Sequence, residues 1–104
     1  MHKEGAILMI KQIEEALQQG SITELEAKVL NFILTRYEIE DGFPQEFKQT
    51  AKELSMEFNS LKGVVGSLKK KDYIRVENYH SGYTDQWIHA TDKSIELAEL
   101  SWAD

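Results

Sequence analysis

The sequence predicts a mainly helical α+β fold, with a helix-turn-helix, then a two-stranded β-hairpin, and an extra helix at each end. Three observations predict it. Apolar residues recur at helical spacing from the start of the chain to about residue 71. The period then shortens to about 2 over residues 73–79 and again over 86–90. A last helical pattern follows Thr91.

Each element has its own signal. Residues 3–19 read as an amphipathic helix, with Ile7, Ile10, Ile13 and Leu17 on one side and Lys11, Gln12, Glu15 and Gln18 on the other. Gly20 stops it. In Ser21-Ile22-Thr23-Glu24-Leu25-Glu26 both Ser21/Glu24 and Thr23/Glu26 have capping-box spacing. Either pair starts a second helix that runs to about Tyr37, with Leu25, Val29, Phe32 and Ile33 as its apolar stripe. Asp41-Gly42 is a turn signal, and Pro44 fits the start of a following helix, where its missing N–H is harmless. Residues 45–55 form a short third helix through Phe47, Ala51 and Leu54. Residues 58–71 form a fourth, with Leu61, Val64, Val65 and Leu68 inward and Lys69, Lys70 and Lys71 in the last turn, where cations suit the helix dipole. In the hairpin, Ile74 and Val76 share one face and Arg75 and Glu77 the other; Ser81-Gly82 marks the turn and Gln86-Trp87-Ile88-His89-Ala90 the return strand. Thr91 caps the last helix, residues 92–102, through Ile95, Ala98 and Leu97 or Trp102.

At 104 residues the chain has the size of one domain. It has no cysteine, which excludes disulfides, thiolate zinc sites and cysteine nucleophiles. No apolar run approaches the roughly 20 residues of a membrane span, and Ala6 to Ile10 is too short for a secretory leader. The reading is a cytoplasmic protein with no membrane contact. Net charge is −6, but unevenly spread: residues 1–45 carry −4, residues 46–75 carry +3 and residues 76–104 carry −5. The one basic segment coincides with the expected helix-turn-helix, which matters more for an anionic partner than the total does.

A helix-turn-helix needs a small residue where its two helices cross, apolar residues at the turn, and an apolar inner face on the second helix. Ala51 is the small residue, Leu54 and Met56 flank the turn, and Leu61 and Val64 supply the inner face. With the hairpin behind it, this order is that of a winged helix. Thr50-Ala51-Lys52-Glu53-Leu54-Ser55-Met56, then Ser67-Leu68-Lys69-Lys70-Lys71-Asp72-Tyr73-Ile74, then Thr91-Asp92-Lys93-Ser94 with Leu97-Ala98, make residues 23–100 resemble winged-helix transcriptional regulators, including the MarR-type family. Ser55, Asp72 and Ser94 stand where such motifs usually have glycine, and the wing tip His80 to Gln86 lacks the usual Lys or Arg. The resemblance implies one winged-helix domain over residues 1–104, with the helix-turn-helix and wing in 23–90 and the C-terminal helix in 92–102. It also implies that the terminal helices build a homodimer; the alternative is that helix 3–19 packs on its own domain.

The function expected is a DNA-binding transcriptional regulator on double-stranded DNA, with helix 58–71 in the major groove. Asn59 and Ser60 can hydrogen-bond base edges, and so can Ser67; Lys62 can reach a phosphate or guanine, and Lys48, Lys52, Lys69, Lys70 and Arg75 can neutralise phosphates. Lys69 to Lys71 read equally as a solvated helix end. Gly63 and Gly66 each cost a helix about 1 kcal/mol against alanine, which points to close approach of DNA or of a packed neighbour. Glu57 opposes DNA unless it reads cytosine. The alternative function is a protein-interaction module that keeps the shape without binding DNA, as small acidic phage- or plasmid-encoded proteins do. Neither His80 and His89 nor Glu38, Glu40 and Asp41 have metal-ligand or catalytic spacing, and no phosphate loop or nucleophile motif is present. An enzyme, a metal and a cofactor are therefore not expected.

Overall fold

The computed structural model describes residues 9–78 and 86–99. The elements run α1 (Lys11–Gln18), α2 (Glu24–Ile39), β1 (Gln45–Glu46), α3 (Phe47–Glu53), α4 (Phe58–Lys70), β2 (Ile74–Asn78), β3 (Gln86–Ala90) and α5 (Asp92–Ala98). The expected residues 3–8, the wing tip through residue 85, and the end of the last helix with Trp102 lie outside the described residues.

Helix α2 is the spine. Its start is the Thr23/Glu26 capping box: Glu26 Oε1 accepts the Thr23 N–H at 2.9 Å and Thr23 Oγ1 accepts the Glu26 N–H at 3.2 Å. The structure thereby decides between the two pairs the sequence offered. Val29, Leu30, Phe32, Ile33 and Leu34 are buried, so α2 is surrounded rather than striped, packing on α1, α4, α5 and β3. Leu25, expected in the stripe, is 50% exposed; Glu26 and Ala27 take the inward direction of that first turn instead. Ile13 of α1 is fully buried, and Asn31 Oδ1 accepts the Ile10 N–H at 2.8 Å, so the described part of the first helix packs on its own domain.

The sheet has three strands in the order β1-β3-β2, all antiparallel. The third helix therefore begins at Phe47, because Gln45 and Glu46 pair with Ile88 and Trp87 as a short strand that the sequence reading missed. Ile74 and Ile88 point into the core, where they meet Leu61, Val65 and Leu68 of α4. Val64, expected inward with Val65, is only half-buried.

Candidate nucleic-acid interface

Helices α3 and α4 meet through a turn whose geometry is written in the backbone. Glu46 caps α3 by accepting the Gln49 N–H at 2.7 Å, and the Thr50 hydroxyl donates to the Glu46 carbonyl at 2.8 Å. At the other end the Met56 N–H donates to Ala51 at 2.9 Å and the Ser55 N–H to Lys52 at 3.1 Å. This double closure requires a left-handed residue, and Ser55 supplies it at φ 55°. Helix α4 ends the same way, with Asp72 at φ 67°, its N–H on Lys69 at 3.0 Å and the Tyr73 N–H on Leu68 at 3.0 Å. Two of the three glycine replacements thus stand at positions that favour glycine, and keep the conformation without it. Ser94, the third, is buried and uses its hydroxyl as the capping-box partner of Thr91.

Helix α4 turns Leu61, Val65 and Leu68 inward and leaves Asn59, Ser60, Lys62, Gly63, Gly66, Lys69 and Lys70 exposed. A Cβ added at Gly63 or Gly66 meets nothing within 4 Å. Of the two explanations the sequence allowed for these glycines, packing against a neighbour is therefore ruled out among the described residues. Lys48 and Lys52 are exposed on the neighbouring α3. Among the described residues, Lys48, Lys52, Lys62, Lys69 and Lys70 form no ion pair, so their charge is available to a partner.

Three acidic residues interrupt this basic surface in the sequence, and two of them are occupied. Glu46 caps α3, and Glu53 pairs with Arg36 and accepts from Gln49. Glu57 is exposed at the start of α4 and makes no capping bond.

Three cations or polar groups fall elsewhere than the sequence suggested. Ser67 does not face outward: its hydroxyl donates to Glu26. Lys71 does not join the free lysines, because its Nζ bonds Glu26 at 2.8 Å and the Ser21 carbonyl at 3.0 Å. Glu26 is 3% exposed. Burial alone raises its pKa, but the bonds from Lys71, Ser67 and the Thr23 backbone outweigh burial and hold the carboxyl below the ordinary value. The back of α4 is thus fastened to α2 through a buried carboxylate.

Arg75 is exposed but is not brought together with the lysines. It alternates with Val76, which faces α4, and so lies on the other side of the sheet, paired with Glu77. There it lines a cleft of about 390 Å³ with Tyr37, His89, Thr91, Asp92 and Ile95. Burial, and Arg75 beside it, push the His89 pKa down, with Glu77 partly opposing. Among the described residues no group of three or more His, Asp or Glu could hold a metal ion, and no helix is long and apolar enough to cross a membrane.

One exposed residue of this face escaped the sequence reading. Phe58, the first residue of α4, is 43% exposed, its ring 5.1 Å from that of buried Phe47. Helical spacing hides it: Phe58 stands three residues before Leu61 and seven before Val65, in line with the buried stripe, so its exposure is not legible in the sequence.

No protein-family model and no curated protein matches the sequence. Solved structures do match its fold. Reduced AbfR bound to DNA superposes with a TM-score of 0.66 at 22% identity, over 86% of this chain and 59% of that one. The S. aureus MepR–DNA complex gives 0.66 at 20% identity, over 86% and 68%. AbsC, a MarR family transcriptional regulator from Streptomyces coelicolor, gives 0.66 at 16% identity, over 88% and 59%. The chain therefore spans about three fifths of the length of AbfR and AbsC, and what it shares with all three is a MarR-like winged-helix fold.

Proposed function

We propose that this protein binds double-stranded DNA as a winged-helix transcriptional regulator, acting as a homodimer with α4 in the major groove. The observation that carries the reading is the set Lys48, Lys52, Lys62, Lys69 and Lys70, without an ion pair among the described residues, around an α4 face opened by Gly63 and Gly66. Net charge of −6 is offset near that face, where Glu46 is engaged in capping and Glu53 in the Arg36 pair, while Glu57 stays exposed at the start of α4. Two of the structures that share the fold are bound to DNA. In this reading Asn59, Ser60 and Lys62 address bases, the other lysines address phosphates, and Arg75 contributes little. The role assigns no catalytic residue and needs no cofactor, and it fits a cytoplasmic protein.

Fluorescence anisotropy with a random-sequence duplex pool, repeated across salt concentrations, tests it. About four phosphate contacts per subunit give a dimer a slope of log affinity on log salt of about −7. Absence of binding at low salt, or a Lys62→Glu variant that binds like the parent protein, overturns it.

A second reading, a protein-interaction module, is favoured by Ile39 and Phe43, 69% and 59% exposed beside exposed Glu38 and Asp41. An apolar anchor framed by carboxylates suits a basic protein surface. Retention of a stoichiometric host protein that is lost on Phe43→Ser, with no DNA retained, would support it over the first.

A further inference from the structure

We infer that Phe58 reads the 5-methyl group of thymine, which makes it a specificity residue within the proposed DNA interface. The inference rests on the DNA-binding reading and adds a base preference to it. In a helix-turn-helix the first residues of the second helix reach base edges. Position one of α4 is Phe58, followed by the polar Asn59 and Ser60. The major-groove edge of thymine offers the one methyl group among the four bases, and an apolar side chain is its natural contact.

Three features of the structure support a contact rather than a stray surface residue. Phe58 is the large apolar side chain that α4 leaves exposed, since Leu61, Val65 and Leu68 are all buried. Its ring is braced against Phe47, tilted 51° at 5.1 Å, and Phe47 is itself buried; an exposed aromatic held in one orientation loses little freedom on binding. A cation also follows one helical turn on: Lys62 is four residues after Phe58 on α4, and Phe47, against which the Phe58 ring packs, lines a groove of about 230 Å³ along α4 rimmed by Lys62 and Lys69. An apolar protein partner would meet those two unpaired charges, whereas DNA supplies both the methyl group and the phosphates that neutralise them. Glu57, one residue earlier, adds a consistent preference: it accepts a hydrogen bond from cytosine N4 and is repelled by the oxygen-rich edge of guanine.

The test starts from duplexes enriched by the full-length protein from a random-sequence library. Each thymine of the best duplex is then replaced singly by 2′-deoxyuridine, which removes the methyl group and keeps every hydrogen bond. Affinities are compared at one fixed salt concentration. The expected result is a position where uracil lowers affinity about fourfold, the ratio that burying one methyl group is worth. Phe58→Ala should bind the thymine and uracil duplexes alike, while Phe58→Leu keeps part of the discrimination. Circular dichroism melting confirms that both variants fold. Binding that is indifferent to every thymine methyl, or discrimination that survives Phe58→Ala, overturns the inference and leaves the DNA-binding reading standing. Failure to enrich or bind any duplex overturns both.

Discussion

Removing the Glu26 carboxylate should loosen α4 from α2 by an amount that follows from its bonds. Glu26 is 3% exposed and accepts from the Thr23 N–H, the Ser67 hydroxyl and the Lys71 ammonium. In Glu26→Ala the Thr23 and Ser67 donors each lose a bond worth about 1 kcal/mol, the Thr23 bond being the Glu26 half of the α2 capping box. The Lys71 contribution is discounted: that side chain is 37% exposed and can return its charge to water. The total is about 2 kcal/mol, below the range for breaking a fully buried pair because Lys71 reaches solvent. Glu26→Gln keeps an acceptor and should lose about 1 kcal/mol. The pH dependence carries the sign. Because the folded pKa lies below the ordinary value, the contribution of Glu26 is complete above that value and is lost as pH falls through the folded one. Urea unfolding of the parent protein should therefore show a steeper acid decline than Glu26→Gln, with the two curves converging at low pH. A loss under about 0.5 kcal/mol for Glu26→Ala, the level of an ordinary surface change, refutes the argument, as does an identical acid limb in Glu26→Gln.

Other outcomes follow from the same geometry. Ser55 holds φ 55°, so Ser55→Gly should relieve strain and stabilise by about 0.5–1 kcal/mol, raising the melting midpoint by about 2–6 °C; Ser55→Val should instead lower it. Asp72→Gly should gain less, since Asp tolerates the left-handed region better than Ser. Lys62→Glu should weaken duplex binding by at least about tenfold, while Arg75→Gln, on the far side of the sheet and paired with Glu77, should stay within about twofold of the parent in the same anisotropy titration. Asn31→Ala removes the acceptor of the Ile10 N–H, and hydrogen exchange should then speed up in α1 before it does in α2.

Local signals carried most of the fold. The end of α1 at Gly20, the Thr23/Glu26 and Thr91 starts, the small Ala51 at the crossing and the alternation from Ile74 to Glu77 were all legible, because each expresses a rule acting within a few residues. What was not legible depends on distant partners. The strand Gln45–Glu46 is too short to show a period and exists because Ile88 and Trp87 pair with it from far along the chain. Ser67 and Lys71 read as surface residues of α4, and nothing near them in the sequence reveals a buried carboxylate on α2 opposite them. Arg75 and Val76 were correctly placed on opposite faces of the strand, but alternation alone does not say which face looks toward α4. Phe58 keeps helical register with buried Leu61 and Val65, so periodicity alone places it inward, and only its position in the first turn of α4 leaves it exposed.

Duplex binding requires close docking on the outer face of α4, and paired measurements on Gly63→Ala and Gly66→Ala address this most directly. With nothing among the described residues within 4 Å of either new methyl group, both substitutions should stabilise the free protein, by about 0.5–1 kcal/mol each in urea unfolding, yet weaken duplex affinity. A gain in stability with affinity unchanged would show that no duplex comes near that surface.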